Sequence, residues 1–371
     1  MTGRINRDLT VDGLRGLTLL VIVFTHYVPT SFFSLNIARP AAAVMLTVTG
    51  YYFMMIVERD SGFAGPVRDR AAAAARLFLQ RHMRIWPTIA GVILLYVLLG
   101  YVDQGPTTTQ IHHTWPLYLA YMGNVVKMLF EAEAFPAQFW LIAAQEQFVL
   151  LALAALVIVG RGRIKGVLMV AVVVGVVARI VGCWIWMPDQ PALATESPFA
   201  IADAVGLGML SRIGISAGES KTGLRRGFVA AAIATLLLAV ILPNTFAVYF
   251  GLVPLLMALV GCIFIFHLAD EVRVRRLQRS VLTSPVFVLL GQMSLSLFML
   301  HPLVNTILNL AFAHYAREIL PWWALSLVGP PLSLVVAYGY FRAVEVPIRR
   351  LRRRRAAAPQ QVAREDRVAL A

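Results

Sequence analysis

The sequence predicts an all-α protein, a polytopic membrane helix bundle of about ten transmembrane helices, and three observations carry that prediction. The chain of 371 residues is 59% hydrophobic and only 14% charged, far more apolar than a domain that must solvate its own surface. Apolar runs of about 20 residues, the length that crosses a hydrocarbon core, follow one another with short polar punctuation and no hydrophilic stretch of domain size. Basic residues fall in every second loop.

Ten runs fit a spanning helix: 12–30, 38–58, 86–102, 138–160, 167–187, 199–215, 226–243, 247–269, 284–306 and 322–343. The segment 115–131 is shorter and broken by Pro116, Asn124 and Lys127, which predicts an interfacial or re-entrant piece. Charge tests the count. Arg4 and Arg7, Arg68 to Arg84, Arg161 to Lys165, Lys221 to Arg226, Arg273 to Arg279 and Arg349 to Arg355 all fall on one side. Asp103, Glu131, Glu133, Asp189 and Glu196 fall on the other. By the positive-inside rule both termini are then cytoplasmic, in a multi-pass protein of a bacterial cell membrane. Residues 1–351 read as one transmembrane domain and 352–371 as a basic, disordered cytoplasmic tail able to touch anionic lipid. The net charge of +14 follows from these loops, so no nucleic-acid partner is expected. Cys183 and Cys262 each sit inside an apolar run, indicating neither a disulfide framework nor a metal site. The first run leads into further spans without a small-residue cleavage site, so the first helix serves as its own targeting signal.

Ionisable groups inside spans are expensive and therefore candidates for function. Arg15 and His26 lie eleven residues apart on the first span, roughly 16 Å along a helix and nearly on one face. One helix thus carries a cation at its cytoplasmic mouth and an imidazole toward the other side. Counting rise along their spans places Glu146, Asp203 and His301 in the outer half with His26. An imidazole near a carboxylate can act as a general base; it could equally relay protons. Asp203 and His301 could instead cap a broken helix or bond backbone. On the cytoplasmic side Arg76, Arg81 and Arg84 precede Trp86-Pro87, where guanidinium groups could hold a phosphorylated ligand or simply set topology.

Several motifs recur in one order. Asp12-Gly13-Leu14-Arg15-Gly16 precedes His26; Arg81 and Arg84 precede Pro87; Trp140 to Phe148 contains Gln145-Glu146-Gln147; Asp203 precedes Gly206-Leu207-Gly208; Gly291 to Pro302 ends in His301-Pro302; and Val344-Glu345-Val346-Pro347 closes the series. In this order and spacing they resemble the acyltransferase-3 family of integral membrane O-acyltransferases over almost the whole chain. Two departures stand out: Gln145 replaces the family's first acidic residue, and Phe298 a common Tyr.

The resemblance implies transfer of a short acyl group, acetyl above all, from cytoplasmic acyl-CoA as donor substrate, with no tightly bound cofactor. The acceptor would be a hydroxyl of a cell-surface polysaccharide or glycolipid. Arg81 and Arg84, with Arg15, would hold the coenzyme's phosphates. His26 would act as general base, oriented by Glu146, or as a transient acyl carrier. Asp12, Asp203 and His301 are further site candidates. The alternative is a proton-coupled transporter of a small molecule or glycan precursor, since His, Glu and Asp within spans also describe a proton path. No pair of matching halves supports it.

Overall fold

The structure is a computed structural model, and it describes residues 2–28, 37–102, 106–129, 136, 138–186, 189–241, 247–269, 281–313 and 323–351. Asp103, Glu131, Glu133, the segment Arg273 to Arg279 and the tail 352–371 lie outside the described residues.

Helices α1 (Thr2–Tyr27), α2 (Ala38–Arg59) and α3 (Val67–Val102) come first, then α4 (Pro106–Leu119) and α5 (Gly123–Leu129). Next are α6 (Phe139–Val159), α7 (Ile164–Trp186) and the short α8 (Pro191–Thr195). Helices α9 (Ala202–Ser216), α10 (Lys221–Ile241) and α11 (Val253–Ala269) follow. The chain closes with α12 (Pro285–Gln292), α13 (Ser294–Ala311) and α14 (Trp323–Tyr340), the last continuing through a π-helical turn, Phe341–Glu345, to Leu351. Among the described residues ten helices are long and apolar enough to cross a membrane, one for each predicted run. The described part of the segment 115–131, residues 115–129, falls on α4 and α5, of 14 and 7 residues, bent at Tyr121 with φ 57°. At about 1.5 Å per residue neither crosses a core of about 30 Å.

Two elements differ from expectation. Helix α3 starts at Val67, not near residue 86. Its first turns carry Ala71 to Ala75, the strongest helix former, so the arginine-rich segment is helix rather than loop. The run 284–306 is two helices, broken at Met293 (φ −93°, ψ 16°). Ser284 caps the first of them, accepting from Phe287 N–H, and Pro285 follows where a missing N–H costs nothing.

Glycine sets how closely the spans approach. A Cβ on Gly13 would lie 1.8 Å from the Leu282 carbonyl oxygen, one on Gly16 2.2 Å from that of Phe287, and one on Gly291 1.9 Å from that of Asp12. Helices α1 and α12 therefore pack backbone against backbone. So do α2 and α9, where Gly50 and Gly208 face the carbonyls of Val205 and Thr47 at 2.0 and 1.9 Å. Without a hydrophobic drive between helices in lipid, such small-residue contacts supply the packing. Gly291→Ala must push α1 and α12 apart and is expected to cost about 1–3 kcal/mol, seen as a lower thermal unfolding midpoint in detergent. Gly166→Ala, whose Cβ would meet nothing within 4 Å, should leave the midpoint unchanged or raise it.

Candidate active site

The Asp12-Gly13-Leu14-Arg15-Gly16 stretch does two jobs. Its glycines bring α1 onto α12, and Arg15 is thereby aimed between the helices. There it meets a cavity of about 840 Å³ whose wall includes Asp12, Arg15, Arg81, Arg84, Gln145 and Arg349. Arg15 donates to Ser294 Oγ at 2.8 Å and lies 3.9 Å from Asp12, while its buried Nε has no partner. Among the described residues Arg84 makes neither an ion pair nor a hydrogen bond. A smaller cleft, of about 290 Å³, shares Gln292 and Arg349 with this cavity and adds Arg342 and Arg350.

Helix breakage at Met293 explains how Arg349 reaches the cavity. In an unbroken helix the Ser296 N–H would bond the Gln292 carbonyl. Instead Ser296 N–H donates to Glu345 Oε1 at 3.1 Å, and the Gln292 carbonyl accepts from Arg349 at 2.8 Å. Glu345 and Arg349 are one turn apart and paired at 2.7 Å. One ion pair of the last helix thus replaces one missing backbone bond, in a setting where no lipid could. Ser296 Oγ also donates to Glu345.

Glu146, 1% exposed, is held by Arg81 through three hydrogen bonds of 2.6, 2.7 and 2.9 Å, and Gln145 donates to it at 3.1 Å. The expected contact between Glu146 and His26 is not made. Helix α3 begins early enough to put Arg81 on a helical face opposite α6, and a carboxylate in a bundle matches a guanidinium fork better than a neutral imidazole. Asp203 likewise belongs to Arg179, at 2.5 and 2.9 Å, both fully buried; Arg179 also donates to the carbonyls of Ala200 and Gly251. Of the four groups placed at one depth, only His26 and His301 meet.

Their rings are edge to face with centroids 5.0 Å apart. His26 Nδ1 lies 2.7 Å from the Ile22 carbonyl oxygen and His301 Nδ1 3.0 Å from that of Leu297. A carbonyl oxygen only accepts, so each neutral ring carries its hydrogen on Nδ1 and its lone pair on Nε2. The His26 ring is exposed; His301 is 1% exposed. Phe298, which lines the cavity, lies 6.0 Å from His301. The order leading away from the cavity is Phe298, His301, His26. Tyr27 steadies this end of the bundle: its hydroxyl donates to the His301 carbonyl at 2.9 Å and lies 2.7 Å from Ser333 Oγ, its ring against Gly329.

Sequence reasoning passed over five polar residues as site candidates. Arg179 sits within a predicted span, and intramembrane charge alone could have flagged it. Arg349 reads as a topology signal, although its four-residue spacing from Glu345 signals a helical pair. Gln138 donates to Tyr96 and to the Met299 carbonyl, next to the histidine pair; nothing in sequence marks it. Arg39 and Lys127 share Glu196 at 3.2 and 2.5 Å beside the Trp140 ring. Burial pushes the Lys127 ammonium down and Glu196 opposes that shift.

A family model described as an acyltransferase domain matches residues 8–342. No curated protein and no solved structure matches the chain.

Proposed function

Since the chain belongs to the acyltransferase-3 family of membrane proteins, we propose that it moves a short acyl group, acetyl above all, from acyl-CoA to a hydroxyl of a cell-surface polysaccharide or glycolipid. The observation that carries this reading is the cavity walled by Arg15, Arg81, Arg84 and Arg349, of which Arg15 lies on α1, the helix that also presents His26. Guanidinium groups in such number suit the phosphates of a coenzyme. Arg81 is committed to Glu146, so Arg84 and Arg15 are the principal phosphate ligands. With Gln145 in place of a carboxylate, the wall keeps more cations than anions. The basic loops lie at this end, which makes it the cytoplasmic one, and the donor's thioester arm runs past Phe298 toward His26.

At His26 the lone pair of Nε2 accepts the proton of the acceptor hydroxyl as its oxygen attacks the thioester carbonyl. The carbon–sulfur bond breaks, the coenzyme thiolate leaves, and the imidazolium returns the proton to it. Products are the ester and the free thiol. The Ile22 carbonyl keeps the ring in the required tautomer throughout, a task often given to a carboxylate.

Purified protein in liposomes, radiolabelled acetyl-CoA and extracted envelope glycans test the reading directly. Wild type should label a glycan. Arg84→Ala should raise the donor KM about 10- to 100-fold, the loss of about 1.5–3 kcal/mol of charge-assisted hydrogen bonding, with an unchanged unfolding midpoint because Arg84 holds no other side chain. A wild type that folds but neither binds nor consumes acyl-CoA would overturn the assignment and favour a transporter.

A further inference from the structure

With Glu146 bound to Arg81 and Asp203 to Arg179, no carboxylate among the described residues pairs with His26. The polar side chain that does meet its ring is His301. Resting on the reading of His26 as the base, we infer that His301 is the positioning residue of the reaction: a ring held permanently as a hydrogen-bond acceptor, it stabilises the His26 imidazolium and not the neutral imidazole.

The local sequence shows how that state is enforced. Pro302 has no N–H, so the carbonyl four residues before it, that of Phe298, loses its helical partner. Beside it, His301 Nδ1 bonds the Leu297 carbonyl, one residue earlier. That acceptor at Nδ1 fixes the hydrogen there, and Nε2 is left as a lone pair. That atom is buried with no hydrogen-bond partner. An unmet buried acceptor is destabilising and in a native fold asks for an explanation.

Neutral His26 cannot meet it, because its only ring hydrogen on nitrogen is spent on the Ile22 carbonyl. Once His26 has taken the acceptor's proton, its whole edge is positive and faces a ring that can only accept. The interaction is therefore stronger in the charged state than in the resting one, which is the condition for it to speed the step. His301 gains and loses no atom in the cycle. The groups around the pair are uncharged: Tyr27 from α1, Ser333 from α14, and Gln138 with Tyr96 from before α6 and from α3. Among the described residues no ion pair competes with His301 for the new charge.

The test is a cycle of variants assayed for steady-state acyl transfer, with circular dichroism and unfolding midpoints as controls on folding. His301→Leu should lower kcat about 10- to 100-fold with the donor KM unchanged. His301→Gln, whose amide oxygen can still accept, should recover most of that loss. Because His301 acts through His26, the double variant His26→Ala/His301→Leu should be no slower than His26→Ala alone. A folded His301→Leu with wild-type kcat, a Gln variant as slow as Leu, or additive losses in the double variant would each overturn the inference. Should His301→Leu fail to fold, the Gln variant and its double with His26→Ala carry the same decision. Full activity in His26→Ala would instead sink the reading of the base on which the inference rests.

Discussion

His26→Ala is expected to reduce kcat about 10³-fold, the middle of the range for loss of a general base and equivalent to about 4 kcal/mol of barrier. Stability should not follow. The ring is exposed, and its one hydrogen bond is to the Ile22 carbonyl of its own helix, which remains in the helical ladder when the ring is gone. The donor KM should also stay near wild type, since the guanidinium groups that would take the phosphates lie about three turns away on α1 and on other helices. Paired measurements of kcat, KM and unfolding midpoint separate this outcome from a folding defect. A fall in kcat of less than tenfold in a folded variant would remove His26 from the role of base, and with it the mechanism. Trapping of a labelled acyl group on wild type in the absence of acceptor would favour His26 as an acyl carrier over a base.

The spans were legible because length and hydropathy are local: ten runs predicted ten helices with no knowledge of neighbours. What hydropathy does not measure is helicity of a polar segment. Residues 68–84 carry too many arginines to read as a span, yet the alanines at 71–75 make them the start of α3. That extension decides the site, since it converts Arg81 from a loop cation into a partner for Glu146. Depth along a span is likewise one coordinate of three. Rise per residue correctly brought His26 and His301 to one level; Glu146, which it placed with them, is instead held by Arg81 at the wall of the arginine-lined cavity. Lateral partners then follow a rule that depth does not contain: Glu146 and Asp203 each take a guanidinium, and the two imidazoles are left to each other. Arg179 shows that the rule was partly readable, for a lone arginine in an apolar run implies a carboxylate somewhere across the interface. The break at Met293 was not readable. It depends on Glu345 and Arg349 arriving from the last helix to satisfy the freed backbone groups.

Glu146→Leu is the substitution with the largest expected effect on stability, and it also decides what Glu146 is for. Its side chain is 1% exposed and that of Arg81 17% exposed, so removing the carboxylate strands a guanidinium inside the bundle. Breaking one partner of such a pair typically costs about 3–5 kcal/mol, whereas replacing both by apolar groups of similar volume costs far less. The expected order of unfolding midpoints is therefore wild type and Arg81→Met/Glu146→Leu close together, with Glu146→Leu well below both. Activity gives the second half of the argument. Were Glu146 the orienting partner of His26, the double variant would be as inactive as His26→Ala, stable or not. If Glu146 serves to fasten α6 to α3 and to neutralise Arg81, the double variant should keep kcat within about tenfold of wild type, and the donor KM should rise only by what Arg81 itself contributes, about 1.5–3 kcal/mol at most. A stable double variant with kcat reduced about 10³-fold would restore the carboxylate to the chemistry and displace His301 as the group that stands behind the base.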